Sequence, residues 1–162
     1  MRILSALVLA CAVMASTTAA RAANIVETAE SAGSFGTLLA AAEAAGLVDT
    51  LSNAGPLTVF APTDAAFDAL PDGTVESLLR PENKAKLAAI LSYHVLPRRL
   101  TSGMLPHKRI HVRTVKRGGD RVLAVRKSRS GVTVDGARVV TADIRADNGV
   151  IHVIDKVLLP SR

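Results

Sequence analysis

Three dipeptides, Gly118-Gly119, Asp135-Gly136 and Asn148-Gly149, punctuate the second half of the chain, each lying between stretches rich in valine or isoleucine. Such pairs supply the positive backbone angles of tight hairpins, so the chain beyond Pro97 is committed to antiparallel strands. Val132, Val134, Val139 and Val140 flank the second turn, while Ile144 and the run from Val150 to Leu159 flank the third. That last run is almost continuously apolar, which predicts a central strand covered on both sides.

The first half has a different period. Phe35, Leu38, Leu39 and Ala42 recur at helical spacing between Ser34, a candidate cap, and Gly46, a candidate stop. Leu57-Thr58-Val59-Phe60-Ala61 predicts a short buried strand closed by Pro62. Thr63 is placed to cap a helical turn through the amide of Ala65 or Ala66, with Asp64 near its positive end and Phe67 aimed at the core. Pro81 opens a further helix in which Glu82 and Lys86 can pair, and Leu87, Ile90, Leu91 and His94 form its buried stripe. Helices first and an antiparallel sheet afterwards define an α+β domain, with no internal repeat or linker.

Met1 and Arg2 precede an uncharged stretch from Ile3 to Ala20, which ends in Ala20-Arg21-Ala22. A positive head, an apolar middle and a small-residue exit are the parts of a cleavable export signal over residues 1–22. Cys11 follows Val8-Leu9-Ala10, a lipobox-like run, but bulky Leu9 and the short preceding segment argue against acylation. Cleavage after Ala22 leaves 140 of the 162 residues, one domain over 24–162, and removes the only cysteine. The mature chain therefore holds together by packing without a disulfide, in the periplasm or outside the cell.

Charge is segregated along the chain. Eight acids and no lysine or arginine lie between Asn24 and Glu76, whereas Arg98 to Arg129 carries eleven basic residues against Asp120 alone. Without the signal the balance is 18 basic to 14 acidic residues.

Three blocks, Thr58-Val59-Phe60-Ala61-Pro62-Thr63-Asp64-Ala65-Ala66-Phe67, Tyr93-His94-Val95-Leu96-Pro97, and Val139 to Ile144 leading into Asn148 to Pro160, together resemble the conserved segments of the fasciclin domain family. The resemblance covers Asn24 to Pro160 and implies a β-sandwich-like core wrapped by helices. It also implies an extracellular adhesion or protein-interaction module. Family members contact cell-surface receptors through a Tyr-His region and an Asp-Ile pair, which match Tyr93, His94, Asp143 and Ile144 here. The departure is the basic middle, where the family usually has a mildly polar hairpin.

Each candidate has a structural competitor. His94 sits on an apolar stripe, which favours a hydrogen-bonded core histidine; Tyr93 is the better candidate to show its hydroxyl at the surface. Asp143 and Asp155 border strands and suit backbone amides in turns. His107 and His111, or His152 and Asp155, have metal-like spacing, but Lys108, Arg109 and Arg113 oppose a cation near the first pair, so no metal or other cofactor is expected. Asp143 and Asp147 are solvated turn acids rather than a glycosidase pair, and the chain lacks a nucleophile elbow, a phosphate loop and tryptophan, so no catalysis is expected. The basic segment, including Arg109, Arg113, Lys116, Arg117 and Arg121, is the expected contact. Its partner is a cell-surface or matrix protein or an anionic envelope polymer, or a second copy meeting it with the acidic half. Nucleic acid is not expected, since export separates the chain from it and no aromatics interleave the cations. A polyanion- or lipid-binding envelope protein using residues 98–129 is the alternative.

Overall fold

The computed structural model describes residues 23–160; the expected signal over 1–22 lies outside them. Helices come first: α1 (Ile25–Ala32), α2 (Gly36–Ala45), α3 (Val48–Asn53), α4 (Asp64–Asp68), α5 (Thr74–Leu79) and α6 (Lys84–Tyr93), with β1 (Leu57–Pro62) between α3 and α4. The strands β2 (Val95–Leu96), β3 (Arg109–Arg113), β4 (Val122–Ser128), β5 (Gly131–Val134), β6 (Ala137–Ala146) and β7 (Gly149–Ile154) follow. The fold is α+β, as the change of period requires.

One sheet takes the order β2-β1-β7-β6-β5-β4-β3. Every neighbouring pair is antiparallel except β1 and β7, which run parallel from Leu57 opposite Gly149 to Pro62 opposite Ile154. The turn dipeptides dictate only local pairings, and this one joins the two halves of the chain. Beyond β3, the Val115 amide donates to the Val95 carbonyl at 2.8 Å, which draws the two margins of the sheet together.

Both β1 and β7 are buried at all six positions, because each has a core on either side. Leu57, Val59, Ala61, Ile151 and Val153 meet the helices, packing with Phe35, Leu38, Leu87, Ile90 and Leu91. Phe60 and Ile154 point the other way, into the curl of the sheet, with Tyr93, Leu96, Val112, Leu123, Val125 and Val134. Alternation along a strand sends successive side chains to opposite faces, so one apolar run fills two cores.

Local signals account for most helix ends. Thr63 caps α4 by accepting from the Ala66 amide at 3.3 Å, and Gly46 closes α2 in the left-handed region at φ 70°. Ser34, however, does not cap α2; Asp64 does so from a distance, its carboxylate accepting from the Thr37 amide at 2.8 Å. Glu82 likewise does not pair with Lys86 but lies 3.7 Å from the Arg80 guanidinium. Asn24 and Glu27 form a reciprocal capping box that starts α1, a helix outside the sequence expectation.

Asp135-Gly136 joins β5 to β6 with φ of 47° and 88°, as a tight hairpin demands. Asn148-Gly149 also joins two strands, but Gly149 lacks a positive φ and is needed for a different reason. A Cβ there would lie 2.1 Å from the Leu57 carbonyl oxygen and 2.8 Å from Ile25 Cδ1. Gly149→Ala must push β1 away from β7 and is expected to lower unfolding free energy by about 3 kcal/mol. Urea denaturation measures it; a loss within error of zero would contradict this packing.

Candidate functional site

The four residues singled out by family resemblance are held inside or across the joints of the fold. Tyr93 ends α6 and is 1% exposed, so its hydroxyl does not reach the surface as expected. It donates to the Val122 carbonyl at 3.1 Å, with an Asp135 carboxylate oxygen at 3.4 Å. Burial first, then the carboxylates of Asp135 and Asp120, push its pKa up to about 12. The Lys116 ammonium stands 5.9 Å from the centre of its ring and donates to the Asp120 carbonyl at 2.8 Å.

His94 is a core histidine, 2% exposed, with both ring nitrogens engaged. The Leu158 amide donates to Nε2 at 2.9 Å, so Nε2 must be unprotonated, and Nδ1–H donates to the Ile90 carbonyl at 2.8 Å. Burial pulls its pKa down to about 4, only partly offset by the Ile90 bond, which keeps the ring neutral.

Asp143 sits in the left-handed region at φ 59°, within the irregular stretch of β6 between Thr141 and Ile144. Its carboxylate accepts from the Ser102 amide at 2.7 Å and from the Ser102 hydroxyl, and its own amide donates to His152 Nδ1 at 3.2 Å. Partial burial opposes ionisation, but the two Ser102 bonds, with the Arg145 guanidinium, hold the carboxyl below the usual 3.8. Ile144 packs, half-buried, on the helix-facing core. Asp155 similarly accepts from the Arg138 amide at 2.8 Å, the turn role expected of it.

Ser102, Asp143 and His152 have the composition of a hydrolytic triad, wired in the wrong order. His152 Nε2 donates to the Leu100 carbonyl at 2.6 Å, and its ring stacks on Phe60 at 5.6 Å between centroids. The Ser102 hydroxyl donates to the Asp143 carboxylate, while both ring nitrogens of His152 are engaged with backbone groups, so the histidine does not face the serine as a triad requires. Among the described residues, no three His, Cys, Asp or Glu side chains gather as a metal would need.

The cations form a different pattern. Register places Arg109 of β3 opposite Arg126 of β4, Arg126 beside Thr133 of β5, and Thr133 opposite Arg138 of β6. Strand spacing makes this a row roughly 14 Å long across four strands. All three arginines are exposed, as are His111 and Arg113 farther along the same face of β3. A shallow depression of about 490 Å³ lined by His107, Arg126, Lys127, Ser128 and Arg129 adjoins it. Lys116, Arg117 and Arg121 lie apart from the row, in the loop between β3 and β4. Among the described residues no ion pair within 4.0 Å involves an arginine of the row, and the Asp155 carboxylate beside Arg138 is engaged with the Arg138 backbone amide. Arg126 lies within the expected basic segment without being singled out there and Arg138 lies beyond it, because their place in the row follows from register. The Asp135-Gly136 hairpin was the available signal, since its two-residue turn sets Thr133 against Arg138.

A helix layer over a curled sheet, with its polar interior bonded and its charge outside, describes a compact α+β module. The fasciclin domain model matches residues 33–160, and the chain belongs to that family. It is 48% identical over 139 residues to protein sll1483 of Synechocystis sp., spanning 86% of this chain and 74% of that one. It is 40% identical over 116 residues to the cell surface glycolipoprotein MPB83 of Mycobacterium bovis, spanning 70% and 48% respectively. A FAS1 domain pair from the insect cell adhesion molecule fasciclin I shares the fold at a TM-score of 0.51 and 23% identity, over 76% of this chain and 45% of that chain. No helix of the described residues is long and apolar enough to cross a membrane.

His94 also makes stability depend on pH. Its folded pKa, about 4, lies below the ordinary 6.5, so the unfolded chain binds the extra proton first as pH falls. The stabilisation is complete above pH 6.5 and is lost on the way to pH 4, a difference of roughly 3 kcal/mol. Urea midpoints across this window should fall in the native protein and stay nearly level in His94→Gln, which starts from a lower value. Asp143, whose pKa is lowered, contributes stability that is fully present above its ordinary 3.8 and is lost only as pH falls below it.

Proposed function

We propose that this protein is a non-catalytic adhesion or protein-interaction module, exported to the periplasm or cell surface, whose contact is the arginine face of β3 to β6. The observation that carries the reading is the uncompensated row Arg109, Arg126 and Arg138. Placing Arg109 directly opposite Arg126 works against the sheet, and among the described residues no carboxylate forms an ion pair with either. An anionic partner offsets the repulsion.

Arg113 extends the face along β3, while Lys116, Arg117 and Arg121 enlarge the positive field from the adjoining loop. Guanidinium groups pair with carboxylate and phosphate through two parallel bonds, so a ladder of them suits a partner with repeated anions. That description fits the acidic face of an envelope or matrix protein and an anionic envelope polymer. Tyr93, His94, Asp143 and Ile144 support this surface from within, since exposing them would open the core. The family membership and the surface location carried by one relative's name agree with a role outside the cytoplasm.

The test is binding of the mature domain to an immobilised polyuronate and to the neutral parent glycan at several salt concentrations. Retention on the acidic polymer should fall steeply as salt rises. Arg109→Gln/Arg126→Gln/Arg138→Gln should abolish it with the unfolding midpoint preserved or raised, since the like charges facing each other are removed. Reversing Lys116, Arg117 and Arg121 should weaken it less. Salt-independent binding, or equal retention by the row variant, would refute the assignment.

A further inference from the structure

A second cleft, remote from the arginine row in composition, lies between α5, α6 and the segment after β7. Leu78, Ala89, Ile90 and Leu159 form an apolar floor to a space of about 410 Å³, with Lys86 and Lys116 beside it. Its size falls within the range of roughly 300–1,000 Å³ common to small-molecule sites. Thr74 is the other polar side chain on the wall, and no carboxylate lines it. We propose that this cleft binds the carboxylate end and first methylenes of a single-chain fatty acid, the lysines taking the head group and the leucine-lined floor the chain.

Each part of the cleft argues for that chemistry. Leu159 is 51% exposed although it borders buried Leu78 and Ile90, so an apolar surface is left open where an alkyl chain would cover it. Lys86 is exposed, and Glu82, one turn before it, sits against Arg80 instead. Lys116 spends one donor on the Asp120 carbonyl, leaving two of its three N–H groups for an anion. Two ammonium groups beside a floor without hydrogen-bonding side chains match one compact anion on an apolar tail. A sugar or nucleotide would leave its polar groups unpaired there. The cleft is open at the surface, so the far end of a long chain can extend beyond it without entering the core.

Lys116 also supplies a built-in reporter. Tyr93 is the only tyrosine, the chain has no tryptophan, and the Lys116 ammonium stands 5.9 Å from its ring centre. A ligand that draws on Lys116 should change the emission of Tyr93.

The experiment titrates the mature domain with decanoate, acetate and decylammonium, all below their aggregation concentrations, following amide and methyl resonances and tyrosine emission. Decanoate should saturate, with shifts centred on Leu78, Ala89, Ile90 and Leu159, while acetate and decylammonium should not. Lys86→Gln, at an exposed side chain with no hydrogen-bond or ion-pair partner among the described residues, should weaken decanoate binding about tenfold. Lys116→Gln should do the same and also remove the change in emission. Equal binding of decylammonium, shifts centred elsewhere, or unchanged affinity in both variants would overturn the proposal. Because Lys86 has no part in the arginine face, Lys86→Gln should leave binding to the acidic polymer unchanged, which separates failure of the cleft from failure of that surface.

Discussion

Asn148 and Gly149 form the joint on which the rest of the molecule hangs. The Asn148 side chain donates to the Leu51 and Ala54 carbonyls at 2.6 and 2.8 Å and accepts from the Ile25 amide at 2.9 Å. Its own carbonyl accepts from the Leu57 amide at 3.0 Å. One residue thus satisfies the start of α1, the end of α3 and the first amide of β1. These backbone groups sit where helices and sheet meet, with little water to serve them, so leaving them unpaired would cost more than an ordinary surface bond. Gly149 then allows the β1 backbone to come close enough for the parallel pairing to begin.

Much of the fold was legible because its signals are local. Gly46, Thr63 and Asp135-Gly136 act within a few residues of themselves, and the uninterrupted apolar character of β1 and β7 announced burial on both faces. The parallel pairing was not legible, since it unites residues about ninety positions apart with no turn to mark it. The Asp64 carboxylate was assigned to the helix it begins, whereas it serves α2, which only the tertiary arrangement brings near. The start of α1 had a local signature, Asn24 followed by Glu27 three residues later, which the spacing of the apolar residues overshadowed.

For the candidate site the same distinction holds. The excess of cations was plain from composition, but which of them share a face depends on register, so the row of Arg109, Arg126 and Arg138 emerged only with the strands paired. Tyr93 was misplaced because a phenol at the end of a helix can equally point out or in. The Val122 carbonyl, 29 residues away, decides the matter. His94 was legible as a core residue from its place on the Leu87, Ile90, Leu91 stripe. The result is a chain whose polar interior is consumed by backbone partners, with no side-chain nitrogen or oxygen buried and unbonded among the described residues. Selectivity is left to the outside.

The double burial of β7 has a bearing on how such a molecule comes into being. It lies between β1, from the early part of the chain, and β6, from the late part, and seals a core on each side. Until it is seated, β1 offers a bare edge and both cores lack a wall, so neither half has a stable shape of its own. Closing so long a loop is slow relative to forming helices or hairpins. The polypeptide therefore stays pliable until β7 is available, and then locks as a unit.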